Sequence, residues 1–87
     1  MILQKSSRKD KKFQVKYNNR VIHFGAKGMS DYTINKDPKR KALYLKRHRA
    51  REDWTNPNTA GYWSRWILWN KPTTPQDNFK DIKKRFK

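Results

Sequence analysis

The 87-residue sequence carries 23 Lys and Arg against 7 Asp and Glu, a formal net charge of +16, well beyond what solubility asks of a small domain; a polyanion such as DNA, RNA or an anionic membrane is the expected class of partner. Only 33% of residues are hydrophobic, 14% are aromatic and none is cysteine, which predicts a thin core built on a few large rings and excludes disulfides, thiolate metal sites and cysteine nucleophiles. No apolar run approaches the ~18 residues of a membrane span, and Met1-Ile2-Leu3 is too short for the apolar region of a signal peptide, so the protein is expected to be soluble and intracellular, or packed in a particle assembled there.

Residues 1–12 read as a flexible basic arm, because Gln4 to Lys12 are polar, without periodicity, and hold five cations against one carboxylate. One small α+β domain is expected over residues 13–87. From Phe13 the pattern alternates: Phe13, Val15 and Tyr17 share one side, Asn18-Asn19 interrupts, and Val21 with His23, or Ile22 with Phe24, continues. Asn tolerates the positive φ of a two-residue primed turn, so this is a β-hairpin. Gly25 and Gly28 mark a turn that needs positive φ. Ser30 to Asn35 fits either a short third strand or an irregular crossing segment.

Asp37-Pro38 supplies an N-cap followed by proline at the first helical position, and predicts a helix to about Asp53. Ala42, Leu45 and Arg49 fall on one side of it and Leu43, Arg47 and Ala50 on another. Between Lys36 and Arg51 stand eight basic residues and one acidic residue. Glu52 and Asp53 lie at the unfavourable end for the macrodipole and are expected either to pair with nearby Arg side chains or to be tied to other parts of the chain. Trp54-Thr55-Asn56-Pro57-Asn58 is a turn, after which Asn58 or Thr59 caps a second helix from Ala60 to Asn70. This second helix is apolar nearly all round. Such a helix needs cover on more than one side, which so small a chain supplies with difficulty, and a second subunit is the natural source. A third helix follows from Pro75 to Phe86, capped by Thr74, with Phe79, Ile82 and Phe86 on its inner face and Lys80, Lys83, Lys84, Arg85 and Lys87 opposite. The expected architecture is therefore an N-terminal hairpin, with or without a third short strand, packed against two or three helices.

The leading candidate site is basic. Clustered Lys and Arg displace condensed counterions and Arg forks match phosphate oxygens, which singles out Lys9, Lys11 and Lys12 on the arm, Lys39, Arg40, Lys46, Arg47, Arg49 and Arg51 on the first helix, and Lys83, Lys84 and Arg85 on the third. Tyr62, Trp63, Trp66 and Trp69 are better read as core or as an oligomer interface than as a base-stacking platform. His23 and His48 have no second ligand at metal-binding spacing. Ser30-Asp31 and Glu52-Asp53 lack the third member that acid–base or nucleophilic catalysis needs, and Gly25-Ala26-Lys27-Gly28 lacks the Lys-Ser/Thr ending of a P-loop. Neither an enzyme, a metal nor a cofactor is expected.

Three segments carry a resemblance: Phe24-Gly25-Ala26-Lys27-Gly28-Met29-Ser30-Asp31-Tyr32-Thr33, the Arg47-His48 pair, and Trp54-Thr55-Asn56-Pro57-Asn58-Thr59-Ala60-Gly61-Tyr62-Trp63-Ser64-Arg65-Trp66-Ile67-Leu68-Trp69-Asn70-Lys71-Pro72. Over residues 12–86 the chain resembles the short, basic, uncharacterised proteins encoded by nucleocytoplasmic large DNA viruses, the giant viruses. The resemblance implies a viral setting, in the virion or in a viral factory of the host cytoplasm. The expected function is nucleic-acid binding without sequence specificity, with DNA favoured over RNA, in genome packaging or condensation. The alternative is a structural protein that self-assembles through its Trp-rich helix into a closed homo-oligomer. Neither a membrane nor a small-molecule substrate is an expected partner.

Overall fold

The computed structural model describes residues 1–86, and Lys87 lies outside them. Three antiparallel strands, β1 (Ile2–Lys5), β2 (Lys11–Tyr17) and β3 (Arg20–Ala26), form a meander in the order β1-β2-β3. The Asn18-Asn19 turn closes the expected hairpin: both residues take positive φ, 52° and 63°, the requirement of a type I′ turn, whose twist matches that of the flanking strands. Register resolves the ambiguity in β3. Phe13 faces Phe24 and Val15 faces Ile22, so Phe13, Val15, Ile22 and Phe24 point inward, while Val21 and His23 share the outer face with Lys16 and Gln14.

The loose arm expected up to residue 12 is instead built into the sheet. Ile2–Lys5 pair with β2 in the register Leu3 to Val15 and Lys5 to Phe13. The loop from 6 to 10 is tied down by polar groups: the Ser7 amide donates to Gln14 Oε1 at 3.0 Å, Gln14 Nε2 donates to Gln4 Oε1 at 3.2 Å, and Ser6 Oγ lies 2.8 Å from His23 Nδ1. Bonds of this kind leave no mark on hydrophobic periodicity. Only Leu3 is an inward apolar group in β1, too little to stand out as a strand signal.

After β3 the backbone turns through Gly25 and Gly28, at φ +79° and +88°. The two glycines differ in what they permit. A Cβ on Gly25 would sit 2.7 Å from Leu68 Cδ1, whereas one on Gly28 would meet nothing within 4 Å. Gly25→Ala therefore adds a core clash to the left-handed backbone penalty of ~1–2 kcal/mol, while Gly28→Ala carries the backbone penalty alone. Urea denaturation should rank them in that order, with Gly25→Ala costing at least ~1 kcal/mol more.

Ser30 to Asn35 is neither strand nor irregular. Tyr32–Asn35 form a single helical turn, α1, opened by Asp31, whose carboxylate accepts from the Thr33 amide at 2.9 Å. Lys12 Nζ donates to the other Asp31 oxygen at 2.6 Å, and both side chains are nearly buried, at 15% and 3% exposure. Helix α2 (Pro38–His48) begins as expected, with Asp37 as N-cap and Pro38 in its first turn, but ends five residues before Asp53. Local bonds compete with its continuation. Glu52 accepts from the Trp54 indole at 2.9 Å and lies 3.7 Å from His48, while Asp53 accepts from the Thr55 amide at 2.9 Å. Neither carboxylate pairs with an Arg among the described residues; of the two expected arrangements the second is found, both being tied to other parts of the chain.

The Trp-rich segment starts at Thr59, whose hydroxyl accepts from the Tyr62 amide, and runs through α3 (Ala60–Trp63) into a π-turn at Ser64–Leu68. The wider turn closes with the Trp69 amide donating to Ser64 O, five residues back, at 3.1 Å. It lets the consecutive residues Ile67 and Leu68 both enter the core, where Tyr62 and Trp63 already lie. Helix α4 (Pro75–Lys83) continues as a 3₁₀ turn, Lys84–Phe86. Its Thr74 cap and its inner face of Phe79, Ile82 and Phe86 are as expected. Asn78 is the part of α4 that periodicity misses: fully buried, it donates from Nδ2 to Ile67 O at 2.8 Å and to Lys71 O at 3.1 Å. It thereby satisfies the Ile67 carbonyl, which the end of the Trp-rich helix leaves without an intrahelical partner, and is a second donor to Lys71 O, which also accepts from the Thr73 amide.

Candidate nucleic-acid interface

Helix α2 buries no residue. Of the two sides read from the sequence, neither is the docked one as a whole: Ala42 and Arg49 are exposed, and so are Leu43, Arg47 and Ala50. Lys41, Tyr44, Leu45 and His48 are half-buried instead, at i, i+3, i+4 and i+7. Tyr44 is the anchor. Its ring stacks on Trp69 at 4.4 Å with the planes 4° apart, and on His48 at 4.4 Å. Burial pushes the Tyr44 hydroxyl well above the ordinary tyrosine range, so it stays neutral beside the indole. Lys41 Nζ donates to Asn70 O at 2.5 Å and sits 5.0 Å from the centroid of the Tyr32 ring, and burial lowers its pKa. One face of α2 is thus spent on an aromatic and polar dock.

The remaining faces are cationic. Lys39, Arg40, Lys46 and Arg47 on the helix, and Arg49 and Arg51 on the turn after it, are exposed. Among the described residues none of the six lies in an ion pair. The reason is an accounting of acids. Asp10 is used by Arg8, Asp31 by Lys12, and Asp81 by Lys71 and Lys84. Asp37 caps α2, Glu52 holds Trp54, Asp53 holds Thr55, and Asp77 accepts from Thr73 Oγ1 at 3.0 Å. No carboxylate is left over for the α2 surface.

The other expected phosphate contacts divide. Lys9 is exposed on the β1–β2 loop and Lys11 is half-buried on β2. Lys12 is not a free cation, because its ammonium is committed to Asp31; that residue leaves the set. Lys83 is exposed with Nζ 5.5 Å from the Phe79 centroid, and Lys84 lies 3.9 Å from Asp81. Arg85 sits over Trp66, its guanidinium carbon 4.1 Å from the ring centroid, while Arg65 stands at 4.4 Å from the same ring. Arg65 also reaches Trp69 O at 2.9 Å through an Nη atom, and its Nε has no partner among the described residues. Burial and the neighbouring Arg85 both lower the Arg65 pKa. Two like charges on one indole are tolerated through cation–π attraction.

The expected oligomer interface also divides. Tyr62 and Trp63 are buried within the chain itself, at 4% and 0% exposure, because the inner face of the sheet, through Tyr17, and Phe86 of the C-terminal 3₁₀ turn supply the cover expected from a second subunit. Trp66 and Trp69 are half-buried, the former between Arg65 and Arg85 and the latter under Tyr44. Three indole N–H groups tie the preceding loop: Trp54 to Glu52, Trp63 to Pro57 O at 2.7 Å and Trp66 to Trp54 O at 2.9 Å. This is the usual demand of a buried indole for an acceptor.

A groove of about 350 Å³ lies between the end of β3 and the Trp-rich helix, lined by Tyr44, His48, Glu52 and Ser64 among others. It assembles a hydroxyl, an imidazole and a carboxylate, yet no hydrogen bond joins Ser64 Oγ to His48 among the described residues, so the nucleophile–base contact of a hydrolase is not formed. No group of three or more His, Cys, Asp or Glu side chains able to hold a metal ion occurs among the described residues. Among the same residues no helix is long and apolar enough to cross a membrane.

No curated protein and no solved structure matches the chain. One family pattern does, over residues 1–48, a family of unknown function. The matched part comprises the whole sheet, α1 and α2 to its last residue, His48, and stops short of the Trp-rich segment. Because the match takes in more than half of the sequence, the chain belongs to the DUF5754 family.

Proposed function

We propose that the protein binds nucleic acid through its phosphate backbone without sequence specificity, with DNA favoured over RNA. In the viral setting that the resemblance implies, its role is packaging or condensing the genome in the virion. The observation that carries this reading is the set of six exposed cations, Lys39, Arg40, Lys46, Arg47, Arg49 and Arg51, with no carboxylate partner among the described residues. Phosphate contacts of this kind act through counterion release and carry no base information. Helix α2 is docked along one side only, which leaves a cationic surface about 16 Å long at 1.5 Å per residue, enough to follow several phosphates.

Anisotropy titrations of several unrelated duplexes at 50 and 200 mM salt test the reading. About six phosphate contacts predict an affinity loss on the order of 10³-fold across that range. Affinities should agree within a few-fold among sequences of equal length. An affinity indifferent to salt, or strong preference for one sequence, would overturn it.

A further inference from the structure

A second pocket, of about 420 Å³, opens where β1, β2, the β3 turn, α1 and the start of α4 meet. Five lysines from four separate segments line it: Lys5, Lys11, Lys12, Lys27 and Lys36. Its one acid, Asp31, is already neutralised by Lys12 at 2.6 Å. The other four ammonium groups have no carboxylate partner among the described residues, so the pocket holds a concentrated positive charge. Between them the walls are mainly apolar, from half-buried Phe13 and Pro75 and from Ile34, which is 62% exposed. Apolar walls from Phe13, Ile34 and Pro75 between four unpaired lysines suit a ligand with both an apolar body and anionic groups.

The size and the walls select among anions. A bare phosphate needs no apolar wall, and a pocket of this volume falls within the ~300–1,000 Å³ of small-ligand sites. Resting on the nucleic-acid reading above, we infer that this pocket accepts one unstacked nucleotide of a single strand, its base against Phe13, Ile34 and Pro75 and its flanking phosphates on Lys5, Lys11, Lys27 and Lys36. A base inside a duplex cannot reach such a pocket without leaving its stack, whereas an unpaired base offers its face at no such cost. Lys36 directly precedes the Asp37 cap of α2, so a strand seated here continues onto the cations of that helix. All lining residues except Thr73, Thr74 and Pro75 lie within the part of the chain that matches the family.

The test uses the full chain, a single strand and a duplex of equal length, dAMP and inorganic phosphate. Single strands should bind about tenfold more tightly than duplex, as stacking of one base permits. Adding dAMP should shift the amide resonances of Thr33, Ile34 and Lys36, and inorganic phosphate should not reproduce the full pattern. Ile34→Glu, a change at an exposed side chain, should abolish the dAMP shifts and the single-strand advantage while leaving duplex affinity within about twofold, since the α2 contacts are untouched. Salt-dependent duplex binding without a single-strand advantage overturns the pocket and leaves the wider reading standing. Saturable dAMP shifts without that advantage assign the pocket to a free nucleotide and overturn the strand. Equal shifts from phosphate alone overturn the base, and binding to dAMP without any duplex binding supports the pocket while overturning the wider reading.

Discussion

Trp63→Ala should unfold the protein under conditions in which Trp66→Ala remains folded. Trp63 is fully buried, with Tyr62 at 5.0 Å, Tyr17 at 5.8 Å and Phe86 at 6.0 Å between ring centroids. It therefore joins the sheet, the Trp-rich helix and the C-terminal 3₁₀ turn in one cluster. Large-to-small replacement at such a site costs about 3–5 kcal/mol from lost transfer energy and from the cavity left behind. The Pro57 carbonyl also loses the indole that donates to it. Against a total of roughly 5–15 kcal/mol for a typical domain, and toward the low end for a chain with so thin a core, that loss is most of the margin. Trp66 is half-buried, and its neighbours include the long side chains of Arg65 and Arg85, whose aliphatic stems can shift to refill part of the space. Its removal should cost about 1–2 kcal/mol. Circular dichroism with urea titration separates the two variants; equal midpoints would show that the Trp-rich helix is not packed in the order described.

The difference between these two tryptophans bears on how far the fold is readable from sequence. The elements announced by local chemistry appear where expected: the Asn18-Asn19 turn, the Asp37-Pro38, Thr59 and Thr74 caps, and the Phe79-Ile82-Phe86 face of α4. Each is decided by residues within one turn or one strand pair. What stays hidden depends on pairing across the chain. Strand β1 is held by glutamine and serine side chains that resemble a solvated arm until β2 stands beside them. The dock of α2 uses Lys41, Tyr44, Leu45 and His48, whose i, i+3, i+4, i+7 spacing is legible in principle, but a stripe containing a lysine and a histidine does not look like a contact face. The cover for Tyr62 and Trp63 comes from the sheet and the C-terminal 3₁₀ turn, so their surplus of apolar surface pointed to a second subunit although these two rings are covered within the chain.

The candidate site is readable in the same uneven way. Charge excess marks α2 correctly as exposed and cationic, because eight basic residues around one short helix cannot all be buried. Charge alone does not tell a free lysine from a committed one. Lys12 and Lys41 are tied to Asp31 and Asn70, and nothing in their local sequence separates them from Lys11 and Lys39. The lysine-lined pocket lies beyond sequence reasoning altogether, as its cations come from strand ends, a turn and the end of α1. Only the meander brings them together.

Neutralising Lys39, Arg40, Lys46 and Arg47 together to Gln should lower duplex affinity about 100-fold or more at 100 mM salt. It should also flatten the slope of log affinity against log salt by about 0.9 for each phosphate that the variant no longer neutralises. The fold should survive, since none of the four is buried or ion-paired among the described residues; relief of self-repulsion at +16 can even raise the melting temperature by a few degrees. The same reduction in charge made elsewhere, at Lys16, Arg20, Lys71 and Lys80, is the control. Those four lie on the outer sheet, the hairpin, the ion pair with Asp81 and the outer face of α4. If binding is carried by the α2 surface, the control loses only the long-range attraction, about a few-fold at this ionic strength, because screening over ~10 Å isolates distant charges. Equal losses in the two variants would mean that the protein binds as a diffuse polycation. In that case the exposed face of α2 would have no role of its own, and the aromatic dock that holds it would serve stability alone.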